Sequence, residues 1–310
     1  MNPLWNIDTT TWDGPWSQDL AQRATGALES GQVLYFPRLT FALLPREQVF
    51  LDPGCSDGQA KNISLDPVRG DLKGTKLVGS GREELQEMIQ RFANSARLLV
   101  MGILPTYSAN VRWGRTSFRP VEVKERPASR RQDDSRLHVD AFPSRPNGGE
   151  RILRVFCNIN PVGQARQWRL GEPFEQCARR FLPKLAPPWI GSRRILSALG
   201  LTRGYRSLYD HYMLALHNAM KEDDSYQCYC PQYEVPFAAQ ATWVVFTDQV
   251  SHAAMTGQYL LEQTFHIPVA GQLDPSTAPL TILERLVGKP LVASTSVSES
   301  KGYGVTSRLS

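Results

Sequence analysis

Three residues with metal-binding side chains, His138, Asp140 and His252, define the chemistry that this sequence can support. In an extended strand the side chains alternate between two faces, so His138 and Asp140, two residues apart, point to the same side. They can supply two adjacent ligands to one metal ion, and His252 can supply a third from a remote strand. Two histidines and one carboxylate, with coordination positions left open, are the ligand set of non-haem Fe(II) oxygenases. The sequence therefore predicts an iron site at these residues.

The setting of these residues strengthens the hypothesis, because an HxD pair alone occurs by chance in many proteins. The pair lies at the end of a predicted strand and precedes a turn region at 143–149. His252 follows the strand pattern at 243–247, also at a strand end. The other histidines lack this setting and are interpreted as surface or structural residues: His211, His217 and His266.

An acidic cosubstrate such as 2-oxoglutarate requires a cation near the metal to hold its distal carboxylate. Arginine suits this role because its planar guanidinium matches a carboxylate with two hydrogen bonds. Arg154 is the best candidate, since it shares a face with Phe156 and Asn158 on an otherwise apolar strand predicted at 151–160. A lone guanidinium there needs an anionic partner. The alternative is an internal salt bridge to a glutamate such as Glu262.

Length and composition are typical of an ordinary globular protein. The chain has 310 residues, of which 41% are hydrophobic and 21% charged, and such a chain can bury a substantial core. No apolar run approaches the roughly 18 residues that cross a bilayer, and the N-terminal segment does not have the pattern of a secretory signal. The five scattered cysteines indicate reduced thiols. We therefore expect a cytoplasmic protein.

Positive charge is concentrated in one part of the chain. The net charge is +5, and between Arg166 and Arg206 nine basic residues accompany two acidic ones. Such an excess favours a face that meets a polyanion, either nucleic acid, acidic lipid or an anionic glycan. The alternative is a solvated basic surface.

Strand patterns on both sides of a helical stretch predict a single domain, 1–310. Antiparallel strands with helices packed outside suit a mainly β fold with a sandwich or jelly-roll core, in which Greek-key connections can bring His138 and His252 together. The predicted parts are a core at about 31–270, a helical insertion at about 166–222 and a mobile serine-rich tail at about 293–310.

Three segments, 137–144 (LHVDAFPS), 151–161 (RILRVFCNINP) and 263–266 (QTFH), resemble the Kdo hydroxylases of Gram-negative bacteria. Kdo is 3-deoxy-D-manno-octulosonic acid. The resemblance extends over about 31–268 and implies a dioxygenase of the Fe(II)/2-oxoglutarate superfamily, with a cupin-like double-stranded β-helix as its core. It implies His138, Asp140 and His252 as catalytic metal ligands. The cosubstrate contacts expected with it are Arg154, Asn158 and Gln263.

The resemblance also implies a reaction and a partner. The reaction is hydroxylation at carbon 3 of the outer Kdo of Kdo2-lipid A, with Fe(II), 2-oxoglutarate and O2, at the cytoplasmic face of the inner membrane. The partner is then this or a related anionic glycolipid, with peripheral membrane contact and no nucleic acid. The basic stretch between Arg166 and Arg206 suits such a substrate.

One departure from the superfamily concerns the cosubstrate cation. Many members carry an arginine about ten residues after the distal histidine, but 260–264 here contains no basic residue. The jumonji and asparaginyl-hydroxylase branch instead places a basic residue on the strand after HxD, and Arg154 resembles that arrangement. Arg119 and Arg136 are the alternatives.

Two other functions remain open from the residues. An oxygenase of the same fold could act on a protein or nucleic acid, with the basic stretch contacting phosphates. A cupin-like protein could bind sugars without metal and without consuming oxygen.

Overall fold

The computed structural model describes residues 2–125, 129–143, 146–186 and 206–293. The strands within these ranges are β1 (Leu4–Asn6), β2 (Val33–Phe36), β3 (Ile63–Asp66), β4 (Asp71–Lys73), β5 (Arg112–Arg119), β6 (Arg151–Asn158), β7 (Arg166–Leu170), β8 (Tyr233–Phe237), β9 (Thr242–Phe246), β10 (His252–Thr256) and β11 (Leu260–Ile267). The α-helices are α1 (Gln18–Glu29), α2 (Gly79–Ile103), α3 (Phe174–Phe181), α4 (Leu208–Glu222), α5 (Asp224–Tyr229) and α6 (Pro279–Val287).

Two sheets pack face to face. The larger has the order β1-β2-β9-β6-β11-β5-β3-β4, and the smaller has the order β10-β7-β8. The named strand pairs are antiparallel except β1 with β2. Phe156 of the large sheet contacts Trp168 of the small one, with ring centroids 5.1 Å apart. The predicted fold class, a jelly-roll β core with flanking helices, is confirmed.

Alternation along β6 divides its side chains between two environments. Leu153 and Val155 join the core that packs beneath α1 and α2, which includes Phe92 of α2. Arg154 and Phe156 point the other way, into the space between the two sheets. The helix layer therefore stabilises one face of the large sheet and leaves the opposite face available for a site.

The predicted helical insertion at 166–222 needs a correction, because its first residues form β7. Arg166, Trp168 and Leu170 alternate as buried residues of this strand, and the helical part begins only at Phe174 with α3. The basic residues made this segment resemble a surface, but the sheet pairing buries Arg166. Residues 187–205 of the predicted insertion and the predicted tail after residue 293 lie outside the described residues.

The basic stretch likewise does not form one exposed face in the part of the chain that the structure describes. Arg166 is 1% exposed and donates from Nη1 to the carbonyl oxygen of Gly257 at 2.7 Å. Other members of the stretch form ion pairs, namely Arg179 with Glu175, Arg180 with Glu172 and Lys184 with Asp223. Three of the six basic residues that the structure describes in this stretch are therefore paired with carboxylates.

A bulge in β5 changes which side chains share a face. Gln263 pairs with Thr116 and Phe265 pairs with Trp113, so two residues of β5, Gly114 and Arg115, lie opposite the single residue Thr264. The extra residue reverses the alternation. Arg112 therefore lies on the same face as Arg115 and Arg119. Strict alternation would place Arg112 on the opposite face from those two.

The bulge requires glycine at position 114. A Cβ atom there would lie 2.9 Å from the backbone oxygen of Thr264 and 3.0 Å from its side chain. We expect Gly114→Ala to lower the free energy of unfolding by about 1–3 kcal/mol, because backbone atoms must shift. In the matched control Gly26→Ala, in the last turn of α1, the new methyl group meets open space, and we expect a gain of about 0.5–1 kcal/mol. Denaturant unfolding measures both, and equal stability of Gly114→Ala and the wild type would contradict this account.

Burial divides the five cysteines into two classes. Cys228 is exposed, whereas the other four are buried: Cys55, Cys157, Cys177 and Cys230. Burial also raises the pKa of Cys157 to about 11, which further suppresses the reactive thiolate. We expect a thiol reagent to label one cysteine rapidly in the native protein and five after denaturation. Rapid labelling of two or more in the native state would show that the core is more open than described.

Candidate metal centre

His138 and His252 are paired through their backbones. His252 is the first residue of β10, and His138 joins it in an isolated antiparallel bridge. The His138 amide donates to the His252 carbonyl at 3.0 Å, and the reciprocal hydrogen bond is 2.9 Å. The predicted strand around His138 is therefore only this bridge, since the Asp140 amide already turns to the Thr247 carbonyl at 2.8 Å. The extended backbone still supplies the expected alternation, because Leu137 and Val139 pack into the apolar cluster beneath α4.

The side chains of His138, Asp140 and His252 converge as predicted. One potential ligand atom from each lies within 4.8 Å of the other two. His138 Nε2 is 3.6 Å from Asp140 Oδ1, and the two imidazole centroids are 4.6 Å apart. Three donors this close together form a group that one metal ion can bridge.

Hydrogen bonds to backbone carbonyls orient both histidines. His138 Nδ1 lies 2.7 Å from the Arg136 oxygen, and His252 Nδ1 lies 2.8 Å from the Val250 oxygen. Because a carbonyl oxygen can only accept, each Nδ1 carries the proton and each Nε2 keeps its lone pair for a metal. Trp168 stacks on the His252 ring at 5.0 Å, with 21° between the planes, and so restricts its rotation.

The electrostatics favour the protonation states that bind metal. Burial lowers the pKa of His138 to about 3 and also lowers the pKa of His252, so both rings are neutral at neutral pH. Burial alone would raise the pKa of Asp140, but the Arg154 guanidinium and the neighbouring imidazoles of His138 and His252 together outweigh burial and hold that pKa well below its ordinary value. Asp140 is therefore a carboxylate while both histidines are uncharged.

One oxygen of the Asp140 carboxylate is available to a metal ion. Asp140 Oδ2 is buried and accepts no hydrogen bond from the described residues. Its contact with Arg154 Nη2, at 3.1 Å, is an ion pair. The lone pairs of this oxygen that no hydrogen-bond donor uses are those that a metal ion would take. These donors fit the two-histidine, one-carboxylate set of non-haem Fe(II).

Arg154 lies in the position expected of the cosubstrate cation, and it also forms the salt bridge to Glu262 that was the alternative. Its guanidinium lies in the same cavity as the triad, beside Asp140, and its Nη1 also pairs with Glu262 Oε1 at 3.0 Å. Glu262 is shared with Arg119, whose Nη1 lies 3.6 Å from Asp134. Arg136 instead binds the Lys221 carbonyl and Asp224. Arg154 is thus the arginine that contacts the triad directly.

Asn158 and Gln263 are not brought to the triad. Asn158 Nδ2 donates to the carbonyl oxygens of Gln164 at 3.0 Å and Phe237 at 3.2 Å, which ties the end of β6 to β8. Gln263 pairs across β11 with Val155 and hydrogen-bonds Thr116. Because Glu262 pairs with Arg119 and Arg154 on the face of the sheet that carries the site, its neighbour Gln263 points to the helix side.

The cavity around the triad contains residues that spacing did not identify. It has a volume of about 360 Å³. His217 of α4 lies edge-on to His138 at 5.0 Å, and Arg166 lines the cavity near Trp168. His217 reaches the site only through packing of α4, for which the sequence gives no indication. Arg166 could have been identified from the alternation of apolar residues at 168 and 170.

The cavity wall carries a positive excess, with two lining carboxylates, Asp134 and Asp140, among its described residues. The basic side chains that line it are Lys61, Arg119, Arg131, Arg154, Arg166 and Lys221. A basic, partly enclosed cavity concentrates anionic ligands.

Comparison with known proteins agrees with this geometry. Residues 11–290 match the family of 3-deoxy-D-manno-oct-2-ulosonic acid (Kdo) hydroxylases, whereas no curated protein matches the chain. The chain is similar to crystal structures of the Kdo hydroxylase KdoO, a non-heme Fe(II) alphaketoglutarate dependent dioxygenase. In complex with alphaketoglutarate and Fe(III), KdoO is 47% identical, with a TM-score of 0.92. In complex with cobalt(II) it is 48% identical, with a TM-score of 0.93. Each comparison covers 96% of this chain and 100% of KdoO. The family predicted from the motifs is thereby confirmed, and the chain belongs to the Kdo hydroxylases.

Proposed function

We propose that this chain is an Fe(II)- and 2-oxoglutarate-dependent dioxygenase that hydroxylates carbon 3 of the outer Kdo of Kdo2-lipid A. The observation that carries the proposal is the convergence of His138, Asp140 and His252 in a basic cavity. Its support from relatives is that KdoO, 47% identical, has been crystallised with alphaketoglutarate, with succinate and with Fe(III).

His138, Asp140 and His252 would hold the iron. Iron, with 2-oxoglutarate and O2, supplies the oxidising power that converts a C–H bond to C–OH, with succinate and CO2 as co-products. The protein positions the groups and limits water. The hydrogen bonds to Arg136 and Val250 keep both imidazoles aimed, and Phe156 and Trp168 provide an apolar wall.

Arg154 is the residue that we propose as the anchor for 2-oxoglutarate. It lies in the cavity, and its buried Nε has no hydrogen-bond partner among the described residues. A dication on Asp140 would also take over part of the negative charge that now balances Arg154. Guanidinium donors would then be available to the distal carboxylate of the cosubstrate.

Kdo2-lipid A is a lipid-linked anion, so the proposal includes peripheral contact with the inner face of the inner membrane. The support for this contact is the chemistry of the substrate and the basic wall of the cavity. None of the described helices is long and apolar enough to cross a membrane.

The test is substrate-dependent turnover by the iron-loaded protein with 2-oxoglutarate in air. We expect Kdo2-lipid A to stimulate succinate formation and to gain one oxygen atom by mass spectrometry. Lipid A without Kdo, the matched control, should do neither. Equal stimulation by both lipids, or stimulation by duplex DNA alone, would contradict the proposed substrate.

A further inference from the structure

A second cleft adjoins the metal cavity on the same face of the large sheet. It has a volume of about 550 Å³ and is lined by residues of β5, β6 and β11. Arg119, Phe142 and Arg154 line both spaces. The two spaces therefore adjoin across these side chains, and a ligand at the triad lies next to the cleft.

The bulge at Gly114 gives this cleft its basic wall. Because it reverses the alternation in β5, Arg112 and Arg115 both line the cleft. Hydrogen bonds from Arg115 Nε to Ser64 Oγ at 2.6 Å and from Nη2 to the Ser64 carbonyl at 2.8 Å fix its guanidinium. Arg112 lies nearer the solvent, 61% exposed, and binds Glu150 with two donors. A bulge beside an active site commonly redirects side chains in this way.

His266 lies on the same wall, opposite Arg112 in the pairing of β11 with β5. Its Nδ1 is buried and has no hydrogen-bond partner among the described residues. Burial lowers the pKa of this imidazole to about 4, so it is neutral at neutral pH and can donate one hydrogen bond. Buried polar atoms are nearly always paired, and an unpaired one on a cleft wall that also carries Arg112 and Arg115 indicates a ligand.

We propose that this cleft binds a second anionic group of the substrate, next to the sugar that is oxidised, through Arg112, Arg115 and His266. The inference rests on the proposed function. The shared chemistry is an oxyanion that accepts hydrogen bonds from guanidinium and imidazole. In Kdo2-lipid A it has two sources, the carboxylate of the inner Kdo and a phosphate of lipid A.

The cleft then determines specificity, since a ligand with a single Kdo reaches only the metal cavity. Loss of one charge-assisted hydrogen bond should weaken binding of the larger ligands by about tenfold. Loss of a neutral hydrogen bond at His266 should weaken it several-fold. Neither change should alter binding of a single Kdo.

The test compares three ligands by calorimetry with the cobalt(II)-loaded full-length protein and 2-oxoglutarate. The ligands are the methyl glycoside of Kdo, the methyl glycoside of the Kdo disaccharide, and Kdo2-lipid A in detergent micelles. The variants are Arg112→Gln and His266→Phe, the second of which keeps a ring that can contact Phe142. Arg38→Gln is the matched control, because Arg38 is similarly exposed and binds Asp8 with two donors. Thermal unfolding verifies that each variant is folded.

We expect Arg112→Gln and His266→Phe to weaken binding of the disaccharide and of Kdo2-lipid A, with unchanged affinity for the single Kdo, while Arg38→Gln binds all three as the wild type does. Weakening of Kdo2-lipid A alone would also support the subsite and assign it to a phosphate. Unchanged affinities, or an equal loss for all three ligands, would overturn it. If the wild type bound none of the three, the proposed function would fail and the subsite with it.

Discussion

Replacement of His252 by alanine is expected to abolish 2-oxoglutarate-dependent succinate formation while the protein stays folded. The pairing of His252 with His138 uses main-chain atoms, so alanine preserves it. The variant loses a metal donor. Because loss of a residue that only hydrogen-bonds a metal ligand costs up to about 100-fold in activity, we expect loss of the ligand itself to lower turnover by more than about 100-fold. Succinate release and cobalt(II) affinity, measured on the same preparation, test both parts of the expectation.

His211→Ala is the matched control for this experiment. His211 lies on α4, outside the cavity, and its ring contacts the Ala186 carbonyl at 3.3 Å. We expect this variant to bind cobalt(II) and to release succinate as the wild type does. Full turnover by His252→Ala would remove this residue from the metal site, and an equal loss in both variants would indicate a general effect on folding.

Arg154→Ala has the second largest expected effect, an increase of about 100-fold or more in the 2-oxoglutarate concentration for half-maximal rate. The estimate assumes loss of two charge-assisted hydrogen bonds to one carboxylate. The variant also removes two ion pairs. In the wild type the guanidinium of Arg154 lies 3.1 Å from Asp140 and 3.0 Å from Glu262. Breaking a buried ion pair in this way costs about 3–5 kcal/mol, so we also expect a lower melting temperature.

Arg154→Lys separates the two effects. Lysine keeps the positive charge beside both carboxylates but cannot form the bidentate contact. We expect it to recover most of the lost stability and little of the affinity for 2-oxoglutarate. An unchanged requirement for 2-oxoglutarate in both variants would move the anchor to another arginine of the cavity, Arg166 or Arg119.

The sequence predicted those parts of the site that depend on short-range geometry. His138 and Asp140 share a side because an extended backbone alternates, even though the predicted strand is only a single bridge. Arg154 faces the cavity for the same reason, on a strand whose other face is apolar. The jelly-roll core followed from the strand patterns, and the family resemblance narrowed it further.

Other features depend on tertiary contacts that spacing does not encode. The position of His217 beside His138 arises from the packing of α4. Arg112 and Arg115 share a face of β5 because the bulge at Gly114 adds one residue. Arg166 was interpreted as part of a basic surface, although its alternation with Trp168 and Leu170 indicates a buried face; only the pairing of β7 with β10 brings that face to the cavity. Gln263 could have been placed from alternation alone, since it and Glu262 cannot face the same side.

The proposed function requires one metal ion held by three side chains. Diffraction at the cobalt absorption edge tests this metal site directly. Crystals of the cobalt(II)-loaded protein should give one strong anomalous peak within bonding distance of His138 Nε2, Asp140 and His252 Nε2. A peak elsewhere, or no peak between these residues in protein that has taken up one equivalent of cobalt, would contradict it.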